Sequence, residues 1–173
     1  MIRFRQAVAA DAPAVAALVN SAYRGESSKR GWTTEADLLG GLRADEPMLL
    51  EMMGEPGSRV DLAFEGSALI GCVNLKREAE RTCYLGMLTV DPARQAAGLG
   101  KQIMARSEEL ARDWGCARMR MTVIDRRAEL IAYYERRGYA RTGKTSPFPS
   151  KAPGVMGDPK VQGLTFVELV KPL

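Results

Sequence analysis

Asp91-Pro92-Ala93-Arg94-Gln95-Ala96-Ala97-Gly98-Leu99-Gly100-Lys101 joins a strand-like segment, 83–90, to an amphipathic helix. The helix shows in Ile103, Met104, Leu110, Ala111 and Trp114, whose i, i+1, i+7, i+8, i+11 spacing marks one face. A helix start ordinarily draws Asp or Glu, because its free N–H groups and macrodipole favour negative charge. Here the first acid after Gly100 is Glu108, and the flanking charges are Arg94 and Lys101. Cations at that end are unfavourable unless an anion arrives from elsewhere. A phosphate group would provide it, and Gly98 and Gly100 would let it approach the backbone closely.

Other phosphate loops fit less well. A P-loop needs a Gly separated by four residues from a Gly-Lys-Ser/Thr end. Gln95 stands where that Gly belongs and Gln102 follows Lys101. A dinucleotide fingerprint, Gly-x-Gly-x-x-Gly with a later acid, accepts Gly98, Gly100 and Asp125, but Ile103 replaces its third glycine. The strand also ends several residues too early. A glycine-bearing helix start with no ligand stays open until the rest of the chain is added.

The run 95–100 resembles the Gln/Arg-x-x-Gly-x-Gly/Ala pyrophosphate loop of the GNAT family of N-acetyltransferases. Leu130-Ile131-Ala132-Tyr133-Tyr134-Glu135-Arg136-Arg137-Gly138-Tyr139 is similar to that family's Tyr-Glu-x-x-Gly-Phe segment, with Tyr139 for the usual Phe. Both motifs occur in the family's order. The resemblance covers most of the chain, best over 83–139 and weakest before Asp61.

Composition excludes other classes. At 173 residues, 46% hydrophobic and 27% charged, the chain reads as one ordinary globular domain, 1–173. The N-terminal Met1-Ile2-Arg3-Phe4-Arg5-Gln6 lacks a signal-peptide run, and no stretch suits a membrane span. Cys72, Cys83 and Cys116 are odd in number and scattered, which points to a reducing cytosol rather than a disulfide framework. The chain has no histidine, which removes Ser-His-Asp and Cys-His catalysis and His-ligated zinc. No metal site is expected. A net charge of +4 is too small and too spread out to imply nucleic acid. Arg24, Lys29, Arg30, Arg136 and Arg137 can each favour an anionic ligand such as coenzyme A or simply be solvated.

The periodicity predicts an opening strand over 2–8 and a helix over 12–22, introduced by Asp11 with Pro13 early. A loop should follow over 24–31, then a helix capped by Thr33 or Thr34 and containing Ala36, Leu38, Leu39 and Leu42. A short helix is expected from Asp45 and Pro47 through Met53, then a hairpin, 60–65 and 68–76, around Gly66-Ser67. Strand 83–90 carries Gly86 as a candidate bulge. Strand 118–124, a helix over 128–137 closed by Gly138, a strand from Tyr139, an irregular 144–163 and a last strand, 164–170, complete the chain.

This order suits an α/β (α+β) fold with a single mixed, twisted sheet and helices on both faces. The resemblance makes it the acyl-CoA N-acyltransferase type, with parallel strands 83–90 and 118–124 splayed to admit a pantetheine arm. Unpaired N–H and C=O groups in such a gap would meet the arm's amides. The implied cofactor is acetyl-CoA, with coenzyme A as product. Its contacts fall on the backbone of Leu88, Thr89 and Val90 and on Gln95, Ala96, Ala97, Gly98, Leu99, Gly100 and Lys101.

Acetyl transfer to an amine needs a held thioester, a neutral amine and a proton for the departing thiolate. Tyr134 is the implied acid: a phenol of pKa about 10 suits a thiolate whose acid lies near 8.5. Core packing with Leu130 and Ile131 is its other reading. Family members often place a carboxylate on the strand before the loop, and 83–90 contains none. Glu26 and Glu35 can act through water or be surface charge. Arg127 stands where many members carry Asn. Tyr23, Arg24, Trp32 and Thr33 lie where the family builds an acceptor wall, and 144–163 would fold over the same cleft.

The expectation is a cytoplasmic acetyl-CoA-dependent N-acetyltransferase acting on a primary amine of a small molecule or peptide, by direct attack in a ternary complex. A homodimer stays open. The rival is a non-catalytic acyl-CoA-binding module of the same fold.

Overall fold

Hairpins and helix caps lay down the first half of the chain. The computed structural model describes residues 1–149 and 157–173. Strand β1 (Ile2–Gln6) leads into helix α1 (Ala12–Tyr23), whose Pro13 sits in the first turn where a missing N–H costs nothing. Asp11 does not cap α1. Its carboxylate instead accepts from the Val8 amide at 2.8 Å and pairs with Arg5. A single short helix, α2 (Gly25–Ser28), and a two-residue strand, β2 (Leu39–Gly40), follow. Asp45 caps α3 (Glu46–Gly54) by accepting from the Met48 amide at 2.9 Å. The hairpin then forms as β3 (Ser58–Glu65) and β4 (Ala68–Glu78).

The second half is β5 (Thr82–Val90), α4 (Leu99–Asp113), β6 (Arg118–Ile124), α5 (Ala128–Glu135), β7 (Ala140–Pro147), β8 (Asp158–Pro159) and β9 (Thr165–Pro172). Seven strands form one sheet in the order β1-β3-β4-β5-β6-β9-β7, and β2 pairs separately with β8. Every neighbouring pair is antiparallel except β5–β6. Helices α4 and α5 cover one face, burying Ile103 and Ile131 against Leu75, Met119 and Leu169. Helices α1 and α3 cover the other with Val15, Val19 and Leu49 against Leu62. Burial on both faces explains the unbroken apolar run Leu62-Ala63-Phe64, which does not alternate. β6 does alternate: Met119, Met121 and Val123 point inward, while Arg120 pairs with Glu78 and Glu168 on the wetter side.

The helix expected over 33–42 is absent. The Glu35 backbone carbonyl accepts from the Leu38 and Leu39 amides in one isolated turn, and Gly41 at φ +74° then turns the chain away. Leu39 pairs with Pro159 instead. Thr34 caps only this turn, accepting from the Ala36 amide at 3.1 Å. The irregular stretch is also shorter than expected, since β7 runs to Pro147 and β8 lies within it. Its segment 150–156 falls outside the described residues.

β5 and β6 pair only at their beginnings, Thr82 with Arg118, Cys83 with Met119 and Tyr84 with Arg120. Beyond that β5 stays with β4 and β6 stays with β9, so the sheet splits. A bulge marks the split. Met87 and Leu88 together stand opposite Val73, and Met87 adopts φ +53°. The irregularity lies one residue beyond Gly86.

Gly71 holds the sheet against α4 at this level. A Cβ there would sit 2.7 Å from Ile103 Cδ1 and 2.9 Å from the Thr89 carbonyl oxygen. Gly71→Ala should therefore lower stability by about 1–3 kcal/mol through overpacking. Urea denaturation would show a lower midpoint with an unchanged slope.

Candidate active site

The loop after β5 is built to stop one helix and start another. Asp91 accepts from the Ala93 amide at 2.9 Å and Pro92 begins a 3₁₀ turn, Pro92–Ala97. Gly98 reverses the chain at φ +74°, a conformation a side chain resists. The first intrahelical bond of α4 runs from the Gln102 amide to the Gly98 carbonyl at 3.3 Å. The amides of Leu99, Gly100 and Lys101 precede it, with no capping side chain and no acid in the first turn. Among the described residues nothing lies within 4 Å of where a Gly98 Cβ would be, so this face of the loop is open to them. At Gly100 a Cβ would stand 3.0 Å from the Tyr133 hydroxyl. Arg94 is not left free beside the loop, since Glu65 pairs with it.

The open loop leads into a cleft of about 210 Å³ that continues into the sheet split, lined by Gly98, Gly100, Val90, Leu88, Tyr133 and Tyr134 among others. Trp32, 41% exposed, packs on Tyr133 with ring centroids 5.1 Å apart at its rim. Arg137 lies over the Tyr133 ring at 3.4 Å, and its buried Nε has no hydrogen-bond partner among the described residues. The Leu88 carbonyl accepts from the Tyr23 hydroxyl, and the Val90 carbonyl from the Gln95 side-chain amide at 3.3 Å. Those carbonyls face the split, so the N–H groups of the same two residues face it too.

A second cavity, about 120 Å³, opens on the other side of Tyr134. Leu39, Phe148, Phe166 and Ile124 form an apolar wall, and Arg24, Arg43, Arg127 and Glu35 form a charged one. Glu35 Oε2 takes Arg24 Nη2 at 3.0 Å and Glu35 Oε1 takes Arg127 Nη1 at 2.9 Å. Arg127 also donates to the Thr33 carbonyl. Burial pulls the Arg24 guanidinium below its ordinary value, with Glu35 opposing that shift.

Tyr23, Leu88, Leu130 and Tyr134 line both cavities. Burial, with Tyr23 alongside, holds the Tyr134 phenol well above the ordinary value of 10.0. Tyr134 therefore keeps its proton throughout the physiological range.

A sheet split beside an open helix start is one half of the assignment, and the sequence profile is the other. The profile of the Acetyltransferase (GNAT) family matches residues 18–139. The chain belongs to the GNAT acetyltransferase family. No curated relative matches it in sequence. Among solved structures, the ribosomal-protein-alanine N-acetyltransferase of Brucella melitensis superposes with a TM-score of 0.69 and 20% identity, over 99% of each chain. The yncA protein of Salmonella typhimurium, described as an acetyltransferase and solved with its cofactor acetyl-CoA, gives a TM-score of 0.69 at 20% identity, over 99% of this chain and 94% of that one. The IAA acetyltransferase of Bacillus cereus gives 0.67 at 14% identity, over 100% of both. At these identities the likeness is one of fold.

In this GNAT chain the structure gathers some sequence-predicted residues and disperses others. Leu88, Val90, Gln95, Ala96, Gly98 and Gly100 reach the cleft; Tyr23, Arg24, Trp32 and Glu35 line one or both cavities. Thr89 does not: it pairs with Cys72 across β4, and its buried hydroxyl donates to the Met87 carbonyl at 2.9 Å. The Leu99 side chain is in the core, so only its amide faces the loop. Ala97 and Lys101 are exposed and line neither cavity. Gln95 turns its side chain inward, donating to Thr33 Oγ1 at 2.6 Å and accepting from the Trp32 amide at 2.8 Å. Glu26 is 89% exposed and pairs with Lys29, away from both cavities. Phe148 comes from the stretch 144–163 expected over the cleft, whereas Arg43, Tyr84 and Phe166 were not predicted for the site and are brought there by long-range pairing.

Glu35 holds two buried guanidiniums at once. Glu35→Ala should cost about 3–5 kcal/mol, because both would be left buried without their counter-charge. Equilibrium unfolding in urea at pH 7 measures this loss directly.

Proposed function

We propose that this chain transfers the acetyl group of acetyl-CoA to a primary amine of a small molecule or peptide, by direct attack with both reactants bound. The carrying observation is Tyr134, a buried, protonated phenol shared by the two cavities at the sheet split. The residues present fit acetyl-CoA. Three uncapped amides and an open Gly98 suit a diphosphate, and the unmatched Arg137 Nε suits further negative charge. Leu88 and Val90 N–H groups suit an amide-bearing arm lying along the split. When bound, the cofactor would supply a thioester carbonyl activated toward amines.

The chain's own residues then have separate tasks. The loop amides and Arg137 anchor a remote part of the cofactor, so that binding energy serves positioning at the reacting end. Tyr134 would hold the proton that the departing thiolate takes up when its bond to the acetyl carbon is exchanged for one to the amine nitrogen. Glu35 is the acid lining the acceptor cavity, and both its oxygens are occupied by arginines, so it acts as a clamp. The amine proton leaves through water. A cysteine-linked acyl group is disfavoured, since burial pushes the Cys72 and Cys83 thiols up to about 12. The three free, buried thiols also support a reducing, cytoplasmic location. The end-to-end fold matches support reading 1–173 as one acetyltransferase domain.

Tyr134→Phe should lower kcat by about 10²–10⁴-fold while leaving the Kd for coenzyme A unchanged. Thiol release and calorimetry measure the two quantities. Undiminished coenzyme A binding with no acetylation across a broad amine panel, by the unmutated protein, would identify the binding module instead. Because burial raises the Tyr134 pKa, the acid form persists as pH rises, whereas the amine gains its reactive form. The pH profile of kcat should therefore climb through pH 9 without a descending limb below the ordinary phenol value of 10.0.

A further inference from the structure

The acceptor cavity has an imbalance of charge that its own residues leave uncorrected. Three guanidiniums, Arg24, Arg43 and Arg127, face it, against the single carboxylate of Glu35. Arg24 and Arg127 share that carboxylate and are thereby fixed in place. Arg43 is different. Its backbone is pinned by the Asn20 side chain at 2.8 Å, and its guanidinium lies over the Tyr23 ring at 5.9 Å. Among the described residues no carboxylate is within ion-pair distance of it, and 150–156, outside them, contain no Asp or Glu. Arg43 is only half-buried, and its side chain lines the cavity.

Tyr23 ties this cation to the reaction centre. The same ring that receives Arg43 also receives Arg127 at 5.6 Å, and its hydroxyl is bonded to the Leu88 carbonyl on the split edge. Opposite stand Phe148 and Phe166, with centroids 5.3 Å apart, offering apolar surface. Polycationic amines would be repelled by such a wall, and a cavity of about 120 Å³ admits a small molecule. A planar, forked guanidinium with free donors recognises carboxylates and their phosphinate or sulfonate analogues in bidentate fashion.

Resting on the acetyl transfer proposed above, we infer that the acceptor carries an anionic group beside its amine, and that Arg43 reads it. The substrate class is a small amino acid or an amino-acid-like zwitterion with an apolar body. Arg43 is a specificity-determining residue, whereas Tyr134 serves the chemistry.

The test uses matched acceptors: leucine, methionine and phenylalanine, each beside its amide and its decarboxylated amine. Thiol release with acetyl-CoA should favour the carboxylate-bearing member of a pair by kcat/KM. Arg43→Gln should shrink that preference by about 10–100-fold, as expected for one charge-assisted bidentate contact, with the change in KM. Arg43→Glu should turn the preference toward the decarboxylated amine, and a retained coenzyme A Kd would show that either variant is folded. Calorimetric titration of the same pairs into cofactor-free protein supplies a readout that does not depend on catalysis. Equal or better use and binding of the decarboxylated amines would overturn the inference, as would equal losses on both members of a pair. Failure to bind coenzyme A would instead fall on the acetyl transfer, and the cofactor-free titration would still decide the role of Arg43.

Discussion

Parting β5 from β6 after three residue pairs is the constraint from which the rest of the site follows. A sheet interior normally leaves no backbone group unmatched, because a buried N–H or C=O without a partner is costly. Here each strand keeps its outer neighbour, so the opening is confined to one seam. The bulge at Met87-Leu88 bends β5 away, and Tyr23 from the end of α1 caps one exposed carbonyl. Gln95 caps another from the loop that follows. Two carbonyls are thus satisfied internally, and the N–H edge is what remains for an amide-bearing ligand.

The charged wall solves a second problem. Arg24, Glu35 and Arg127 are all withdrawn from water, which ordinarily offsets most of what an ion pair gains. One carboxylate bridging two guanidiniums, with further bonds to the Gly40, Leu42 and Thr33 carbonyls, satisfies the donors and fixes the segment 33–42 without regular structure. Arg127 has been drawn into this network at the start of α5. Its guanidinium is bonded to Glu35 and to the Thr33 carbonyl. Gln95 links the loop before α4 to Trp32 and Thr33, so the loop and the segment leading to β2 share a boundary.

Local chemistry made the loop before α4 legible in the chain, and the resemblance did the same for Tyr134. Gly98 and Gly100, the missing acid in the first turn of α4 and the Tyr134 motif all lie within a few residues of the features they create. The hairpin at Gly66, the Asp45 cap and the alternation of β6 could be read for the same reason. Thr33–Leu42 misled because leucines at helical spacing also suit a segment whose apolar side chains meet Phe148 and Leu164 from elsewhere. Thr89 misled because pairing register, not position in the strand, decides which backbone edge faces the split.

The order of residues alone carried the resemblance to the family, the glycine-bearing start of α4 and the place of Tyr134 in a family motif, since each is written within one or two turns of chain. Tertiary structure decided that Glu35 bridges Arg24 and Arg127 and that Arg43, Phe148 and Phe166 line the same cavity. Those placements arise from partners far apart in the chain, Glu35 and Arg127 being separated by 92 positions. Charge and burial at such a site are properties of the packed ensemble of elements, which no local pattern encodes.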